Sequence, residues 1–205
     1  MKILLDLDDV LADFVSTACR RVNRQYPYDN ACNHGEWNLP PLVGMTTEDF
    51  WRQFDDADWW SNLPWCEHGR TILDLAFGLV GFQNVSIVTR PCPKFFQSVN
   101  RAGIEGISPS CAEGKIRWVQ REISPACRIT LTTDKSRMGD PCDVLIDDCD
   151  ANVQGRLAAG YSAILVPRPW NSLHAQTHDD LAVVRDALTE WILLNDDTTE
   201  EYADD

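Results

Sequence analysis

Short apolar runs alternate with longer segments of helical periodicity along most of the chain. Each run is nearly continuous in apolar residues and bounded by polar ones, which is typical of a strand buried inside a parallel sheet. Between the runs, apolar residues recur every three or four positions, which predicts helices. Strands that alternate with helices predict an α/β fold, a Rossmann-like doubly wound parallel sheet. The predicted strands span residues 3–5, 85–88, 128–131, 143–146 and 163–166.

The segment 28–66 breaks this alternation, because it is rich in Trp, Pro, Asn and Asp. We interpret residues 15–66 as a small, mostly helical cap that is inserted after the first strand and lies over the carboxyl end of the sheet. The core then comprises residues 1–14 and 67–194, and the acidic segment 195–205 is expected to be a disordered tail. The predicted helices span residues 13–26, 46–55, 66–80, 93–102, 112–123, 152–159 and 179–194.

Composition narrows the choice of partner and compartment. The net charge is −14, which disfavours a nucleic-acid polymer, because polyanion binding depends on Lys and Arg. The eight cysteines are scattered without a Cys-x-x-Cys pair, and no signal peptide precedes the first strand, so we expect free thiols in the cytoplasm. No apolar run reaches the ~20 residues of a membrane span, so no membrane partner is expected. The oligomeric state stays open, with a homodimer as one candidate.

The first strand ends in three carboxylates, Asp6, Asp8 and Asp9. Asp6 and Asp8 are two positions apart, so they point to the same side of an extended chain. Burying like charges this close together is costly unless a cation or hydrogen-bond donors compensate. The pair therefore predicts a hard-oxygen site suited to Mg²⁺. The plainer interpretation is a strand followed by a solvated acidic turn.

Polar residues also follow three later strands. Thr89 ends the second strand, Lys135 comes shortly after the third, and Asp147 and Asp148 follow the fourth. In a doubly wound sheet the site lies beyond the carboxyl ends of the strands. We therefore expect all these side chains to converge with the first-strand carboxylates at one edge of the sheet.

The order Asp-x-Asp, Thr, Lys and Asp-Asp resembles the haloacid dehalogenase-like phosphohydrolases, and the resemblance covers most of the chain. The stretches Asp-Leu-Asp-Asp-Val-Leu-Ala-Asp-Phe, Val-Thr-Arg-Pro, Thr-Asp-Lys and Leu-Ile-Asp-Asp are most similar to the 5′(3′)-deoxyribonucleotidases and their bacterial and phage relatives. The resemblance implies a Mg²⁺-dependent phosphomonoesterase that hydrolyses deoxyribonucleoside or ribonucleoside monophosphates. It also implies an aspartyl-phosphate intermediate.

The carboxylates receive roles on this basis. Asp6 is the predicted nucleophile, and Asp8 would protonate the leaving oxygen and then activate the water. The candidate metal ligands are Asp6, Asp8, Asp147 and Asp148. The resemblance implies that the nucleophile, the main-chain carbonyl of the acid/base residue and one aspartate of the last motif hold the metal. It favours Asp148 over Asp147 as that direct ligand.

The phosphate is expected to meet a hydroxyl and a lysine. Thr89 offers a hydroxyl and a backbone N–H to a phosphate oxygen. Lys135 would neutralise the phosphoryl oxygens and hold the nucleophile as a carboxylate. Lys94 and Lys115 are rivals for this role, although each lies near a helix start, where a solvated lysine is the plain expectation. Arg90 would either contact phosphate or pair with the surplus of acid, and both alternatives stay open.

Aromatic residues in or beside the predicted cap suggest a base-binding surface, because stacking of a base on an aromatic face contributes about 1–3 kcal/mol. Phe14, Trp37 and Trp60 are the candidate substrate-binding residues, with Trp37 and Trp59 balanced between binding and packing. Trp51 is expected to fill the core of the cap. Two other functions stay open: a phosphatase of another small phosphoester, such as a sugar phosphate, and a non-catalytic nucleotide-binding module.

Overall fold

A parallel sheet forms the centre of the computed structural model, which describes residues 1–26, 38–98, 101–173 and 179–196. Five of the strands in these residues form the sheet, in the order β5-β2-β1-β6-β7, and every neighbouring pair is parallel. This topology confirms the predicted doubly wound α/β fold. The strands are β1 (Ile3–Leu5), β2 (Val85–Thr89), β3 (Pro93–Ser98), β4 (Arg101–Ile107), β5 (Arg128–Leu131), β6 (Val144–Asp147) and β7 (Ser162–Leu165).

Helices flank this sheet. They are α1 (Phe14–Arg21), α2 (Leu39–Leu42), α3 (Thr47–Arg52), α4 (Ala57–Ser61), α5 (Gly69–Val80), α6 (Pro109–Glu122), α7 (Asp150–Ala158) and α8 (Asp180–Asp196). The larger ones pack on the strands: α5 contacts β2, α6 contacts β5, α7 contacts β6 and β7, and α8 contacts β7 and α5. The strands β1, β2 and β6 are fully buried, which explains why their sequences are almost continuously apolar.

Local signals set the helix boundaries. Thr46 caps α3, because its hydroxyl accepts a hydrogen bond from the N–H of Asp49 at 3.1 Å. Ser108 caps α6 in the same way, and a proline follows at the first helical position. Gly81 ends α5 with φ of 80°, a conformation that strongly favours glycine. The last helix, α8, continues to Asp196, past its predicted end at residue 194.

The region predicted as the cap, residues 15–66, contains most of α1 and the short helices α2, α3 and α4. Helix α4 packs closely on α6, where Gly114 makes the approach of the two helices feasible. A Cβ atom at Gly114 would lie 2.4 Å from the Cβ of Trp60 and 2.5 Å from the carbonyl oxygen of Ala57. This contact fixes α4 beside the carboxyl edge of the sheet. Residues 27–37, which include Trp37, and residues 197–205 of the predicted tail lie outside the described residues.

The helix predicted for residues 93–102 is wrong. Strands β3 and β4 pair there as an antiparallel hairpin, with Pro93 opposite Ile107 and Ser98 opposite Arg101. The segment is rich in aromatic and branched residues that favour extended backbone. Gly106, with φ of 108°, also opposes a helical path in the second half of the hairpin. No helix in the described part of the chain has the length and apolar character to cross a bilayer.

Candidate active site

The polar strand endings meet at the carboxyl edge of the sheet, as their order along the chain predicted. Lys135 Nζ lies 2.8 Å from Asp6 Oδ2 and 2.7 Å from Asp147 Oδ2, so it bridges the ends of β1 and β6. Thr89 at the end of β2 is completely buried beside them. The predicted lysine and the predicted nucleophile are therefore in direct contact.

Asp147 is held by four hydrogen bonds. Besides the ammonium of Lys135, its carboxylate accepts from the N–H of Cys149 at 2.9 Å and from Asn152 Nδ2, which lies 3.1 Å from each oxygen. Both carboxylate oxygens are thus engaged by protein donors, and the side chain is completely buried. Sequence reasoning missed Asn152, which lies in α7 where no pattern distinguishes it from a solvated amide.

Asp148 has a different environment. Its Oδ2 accepts a hydrogen bond from the indole N–H of Trp170 at 2.6 Å. Among the described residues, no other side chain or backbone donor bonds to this carboxylate. One ligand atom each from Asp6, Asp147 and Asp148 lies within 4.8 Å of the others, and all three residues are buried. Asp148 is therefore the last-motif carboxylate with an oxygen available for a cation.

Lys115 corrects an expectation, because the solvated lysine predicted at this helical position is fully buried. Its ammonium forms an ion pair with Asp8 Oδ2 and donates to Thr89 Oγ1 at 2.9 Å and to the carbonyl of Arg90 at 2.6 Å. It also lies 5.0 Å from the centre of the Trp60 ring. The site thus has two lysines: Lys135 beside the predicted nucleophile and Lys115 beside the predicted acid/base residue.

A signal for Lys115 was present in the sequence. Cys111, Lys115, Trp118 and Val119 recur at helical spacing in α6, and all four are buried. A lysine within a buried helical stripe must place its charge against a partner, since an isolated buried ammonium is very costly. The plain expectation of a solvated side chain ignored this periodicity.

A tight turn presents Asp8. The next residue, Asp9, has φ of 57°, a left-handed conformation that Asp tolerates better than most residues. Asp9 Oδ1 accepts from the N–H of Val15 at 2.9 Å, and its carbonyl accepts from Arg168 Nε at 2.6 Å. Burial, and then the charge of Asp148, raise the pKa of the Asp9 carboxyl. The turn is therefore fixed from both the start of α1 and the loop that precedes α8.

The electrostatics of the site favour a bound cation. Burial raises the pKa of Asp6 to about 7, with Asp147 and Asp8 adding to the rise and Lys135 opposing it. Burial also raises the pKa of Asp148, together with the charges of Asp147 and Asp6. Although burial disfavours the charged form of Lys135, contact with Asp6 and Asp147 raises its pKa. A cation would stabilise the ionised carboxylates that burial disfavours.

A cavity of about 250 Å³ opens above these groups. Phe14, Trp51 and Trp60 line one side of it. The Phe14 ring stacks on Trp60 at 5.2 Å and on Trp51 at 5.9 Å, with interplanar angles of 3° and 8°. Phe14 and Trp60 are each 1% exposed, whereas Trp51, which was assigned to packing, is half-buried. The aromatic wall is therefore a packed stack in which Trp51 is the most exposed ring.

Polar groups complete the lining of the cavity. Arg90 is exposed at its rim, and its guanidinium has no ion-pair partner among the described residues. Thr132, Thr133 and Asn152 lie along the wall, together with Asn38. Trp59 contacts the edge of Phe14 and carries the guanidinium of Arg21 over its ring, outside the cavity lining.

Comparison with solved structures finds distant similarity. A hydrolase from Pseudomonas syringae has 13% identity and a TM-score of 0.43, and the alignment covers 91% of this chain and 89% of that one. A phosphonoacetaldehyde hydrolase-like protein from Oleispira antarctica has 13% identity and a TM-score of 0.43, with 94% and 84% covered. A HAD family enzyme from Bacteroides thetaiotaomicron in a magnesium complex has 12% identity and a TM-score of 0.39, with 86% and 98% covered. Similarity at these scores does not decide a function.

Comparison of the sequence alone is more specific. No curated protein gives a significant match. The sequence model of one family, described as 5′ nucleotidase, deoxy (Pyrimidine), cytosolic type C protein, matches residues 1–181. The match covers every strand and every site residue named above. The chain therefore belongs to the 5′ nucleotidase, deoxy (pyrimidine), cytosolic type C family, and with it to the nucleotidases that hydrolyse phosphoric monoesters.

Proposed function

We propose that this nucleotidase is a Mg²⁺-dependent phosphomonoesterase that acts on deoxyribonucleoside or ribonucleoside monophosphates through an aspartyl-phosphate intermediate. The observation that carries the proposal is the pairing at the sheet edge. Asp6 is held by Lys135, and Asp8, two residues later, is held by Lys115. A pair of carboxylates, each with its own lysine, suits a reaction that needs a nucleophile and a separate proton carrier.

The residues present fit Mg²⁺. With all four carboxylates ionised, the two lysines leave two negative charges uncompensated, and a divalent cation cancels them. Asp147 is saturated by protein donors, so Asp6 and Asp148 would hold the ion, with the main-chain carbonyl of Asp8 as the resemblance implies. Mg²⁺ prefers one or two carboxylates together with waters and a phosphate oxygen. When bound, it would neutralise charge on the phosphoryl group.

Asp6 is the nucleophile in this proposal. Its Oδ1 accepts from the N–H of Leu7 at 2.7 Å and its Oδ2 faces Lys135, so the carboxylate has a fixed orientation. An Asp6 oxygen attacks phosphorus, the bond to the nucleoside oxygen breaks, and Asp8 donates the proton to that oxygen. Asp8, now a carboxylate, takes a proton from water as the water attacks phosphorus, and Asp6 is released. Lys115 supports this second step because its ammonium pairs with the Asp8 carboxylate.

The phosphoryl oxygens would be held by cations and a hydroxyl. Lys135 contacts Asp6, Lys115 contacts Asp8, and the Thr89 hydroxyl accepts a hydrogen bond from Lys115 at 2.9 Å. The four carboxylates, the two lysines and a divalent ion together leave the site neutral, so a phosphate dianion needs further positive charge. Arg90 at the cavity rim is the cation placed to supply it.

The nucleoside would lie against the aromatic wall. The exposed part of Trp51 offers the apolar surface that a base requires, and the buried rings of Phe14 and Trp60 support it in one stack. The lining also offers amide and hydroxyl groups to sugar and base. Trp37 stays a candidate for the same surface from outside the described residues.

The test is phosphate release from a panel of nucleoside monophosphates, sugar phosphates and a phosphorylated oligonucleotide, each with Mg²⁺ and with EDTA. The proposal predicts Mg²⁺-dependent release that is fastest from nucleoside monophosphates. Faster release from sugar phosphates would contradict the base-binding role of the aromatic wall and leave the catalytic assignment intact. No release from any compound would leave a nucleotide-binding module as the better description.

A further inference from the structure

The indole of Trp170 is tied to the carboxylate that the proposed function gives to the metal. Trp170 Nε1 donates to Asp148 Oδ2 at 2.6 Å, and the two side chains are only 5% and 3% exposed. An indole N–H is a donor and never an acceptor, so it can hold a carboxylate oxygen but cannot itself bind a cation. Among the residues that the structure describes, no donor bonds to the other oxygen of Asp148.

The loop that carries Trp170 is itself anchored around Asp148. The Asn171 amide donates to the Asp148 carbonyl at 2.8 Å and to the Val166 carbonyl at 2.7 Å. Asn171 Oδ1 accepts from the N–H of Arg168 at 3.2 Å, which closes the loop on itself. The ring of Trp170 packs edge-on against Tyr26 at 5.6 Å. Loop backbone and ring packing together hold the indole N–H in one place.

We propose that Trp170 is a positioning residue for the metal site: its indole N–H fixes the plane of the Asp148 carboxylate and so presents the free oxygen to Mg²⁺. The inference rests on the proposed function, because it needs Asp148 to be a metal ligand. Donors that bond to ligating carboxylates commonly contribute about 10–100-fold to metal affinity or activity. A group that orients one ligand acts on metal binding first, and it acts on chemistry only through the fraction of enzyme that holds metal.

The test compares Trp170→Phe, which deletes the N–H, with Trp170→His, which can keep a ring N–H donor. Mg²⁺ affinity is measured by calorimetry, and turnover is measured across Mg²⁺ concentrations. Trp118→Phe is the matched control, since its buried indole donates to the Leu63 carbonyl at 2.8 Å, away from the carboxylates. We expect Trp170→Phe to weaken Mg²⁺ binding by about 10–100-fold, with most turnover restored at saturating Mg²⁺. Trp170→His should recover part of the affinity, and Trp118→Phe should bind Mg²⁺ like the wild type.

Other outcomes would overturn the inference in distinguishable ways. A folded Trp170→Phe protein with wild-type Mg²⁺ affinity would show that the indole only fills space. A loss of turnover that is equal at every Mg²⁺ concentration would show that the indole does not act through metal binding. A wild-type protein that binds no Mg²⁺ would contradict the proposed function itself.

A measurement on the wild-type protein keeps the inference testable if the Phe variant does not fold. With isotopically labelled tryptophan, the indole resonance missing from the Trp170→His spectrum is followed during Mg²⁺ addition. That resonance should shift while the Trp118 resonance stays in place. An unchanged Trp170 resonance in protein that binds Mg²⁺ would overturn the inference.

Discussion

Replacing Lys115 by Met removes a buried positive charge and keeps a side chain of similar length. Lys115 pairs with Asp8 and donates to Thr89 Oγ1 at 2.9 Å and to the Arg90 carbonyl at 2.6 Å. Removing one partner of a buried ion pair costs about 3–5 kcal/mol, because the other charge stays buried without compensation. The Asp8 side chain keeps 16% exposure, so we expect the lower end of that range. For a protein of this size, about 3 kcal/mol lowers Tm by about 6–12 °C.

The same substitution should reduce catalysis strongly. Deleting one group that stabilises the developing charge of a transition state costs about 10²–10³ in kcat. The assay is phosphate release at saturating substrate and Mg²⁺, together with thermal unfolding. Lys2→Met is the matched control, because its ion pair with Asp140 spans 3.5 Å between exposed side chains. That pair contributes at most about 1 kcal/mol, and its loss should leave kcat unchanged.

Two results would refute this reasoning. If folded Lys115→Met protein kept the wild-type kcat, Lys115 would contribute neither to binding of the phosphoryl group nor to the acid/base role of Asp8. If its Tm also matched that of the wild type, the burial and pairing of the ammonium would be contradicted as well. A fall in Tm without a fall in kcat would leave Lys115 a structural residue only.

The remaining predictions use the same assays. Asp8→Asn should abolish turnover while Mg²⁺ and phosphate still bind, and retained turnover would contradict the acid/base role of Asp8. Gly114→Ala should lose about 1–3 kcal/mol of unfolding free energy through overpacking against α4. Gly155→Ala is the control, because its Cβ would meet its nearest neighbour at 3.7 Å, and it should gain about 0.5–1 kcal/mol of unfolding free energy. Both variants are measured by urea unfolding, and equal changes in the two would contradict the packing argument. The hydrogen bond with Asp180 raises the pKa of His68 above its unfolded value of about 6.5. The stability it contributes is therefore complete below about pH 6.5 and is lost as pH rises through the folded pKa. The difference in unfolding free energy between wild type and His68→Asn should therefore shrink as pH rises above about 6.5. A difference that stays constant with pH would contradict a stabilising His68–Asp180 pair.

The sheet and the main carboxylates could be predicted because two independent patterns agree. Apolar runs located the strands, and parallel strands bring their carboxyl ends to one edge, so side chains distant in sequence had to meet. Asp6, Lys135 and Asp147 are in contact for this reason. The order of the strand endings added the family resemblance, which the match over residues 1–181 confirms.

The hairpin at residues 93–107 could not be predicted with the same method. Its aromatic and branched residues favour extended backbone, but a short segment that also contains Lys and Gln has no clear alternation of apolar and polar positions, and tertiary pairing decides its state. Asn152 and Trp170 were missed for another reason. Asn152 lies near the start of a helix and Trp170 lies in a loop, and their roles depend on how close these segments come to Asp147 and Asp148. No local sequence pattern predicts such a distance.

The choice between Asp147 and Asp148 shows where the structure adds most. Neighbouring carboxylates at a strand end point in different directions, and the sequence does not tell which hydrogen-bond donors surround each of them. Within the described part of the chain, several donors surround Asp147, whereas the Asp148 carboxylate accepts a single hydrogen bond from an indole, which separates the two in chemical terms.

The most direct test of the central claim is acid quenching during turnover with a deoxyribonucleoside monophosphate and Mg²⁺, followed by mass spectrometry of the peptides. The account predicts a phosphoryl group on Asp6 that hydroxylamine removes. It also predicts that neither the adduct nor any turnover appears in Asp6→Asn protein. A phosphoryl group on another residue, or turnover that survives in Asp6→Asn, would contradict Asp6 as the nucleophile.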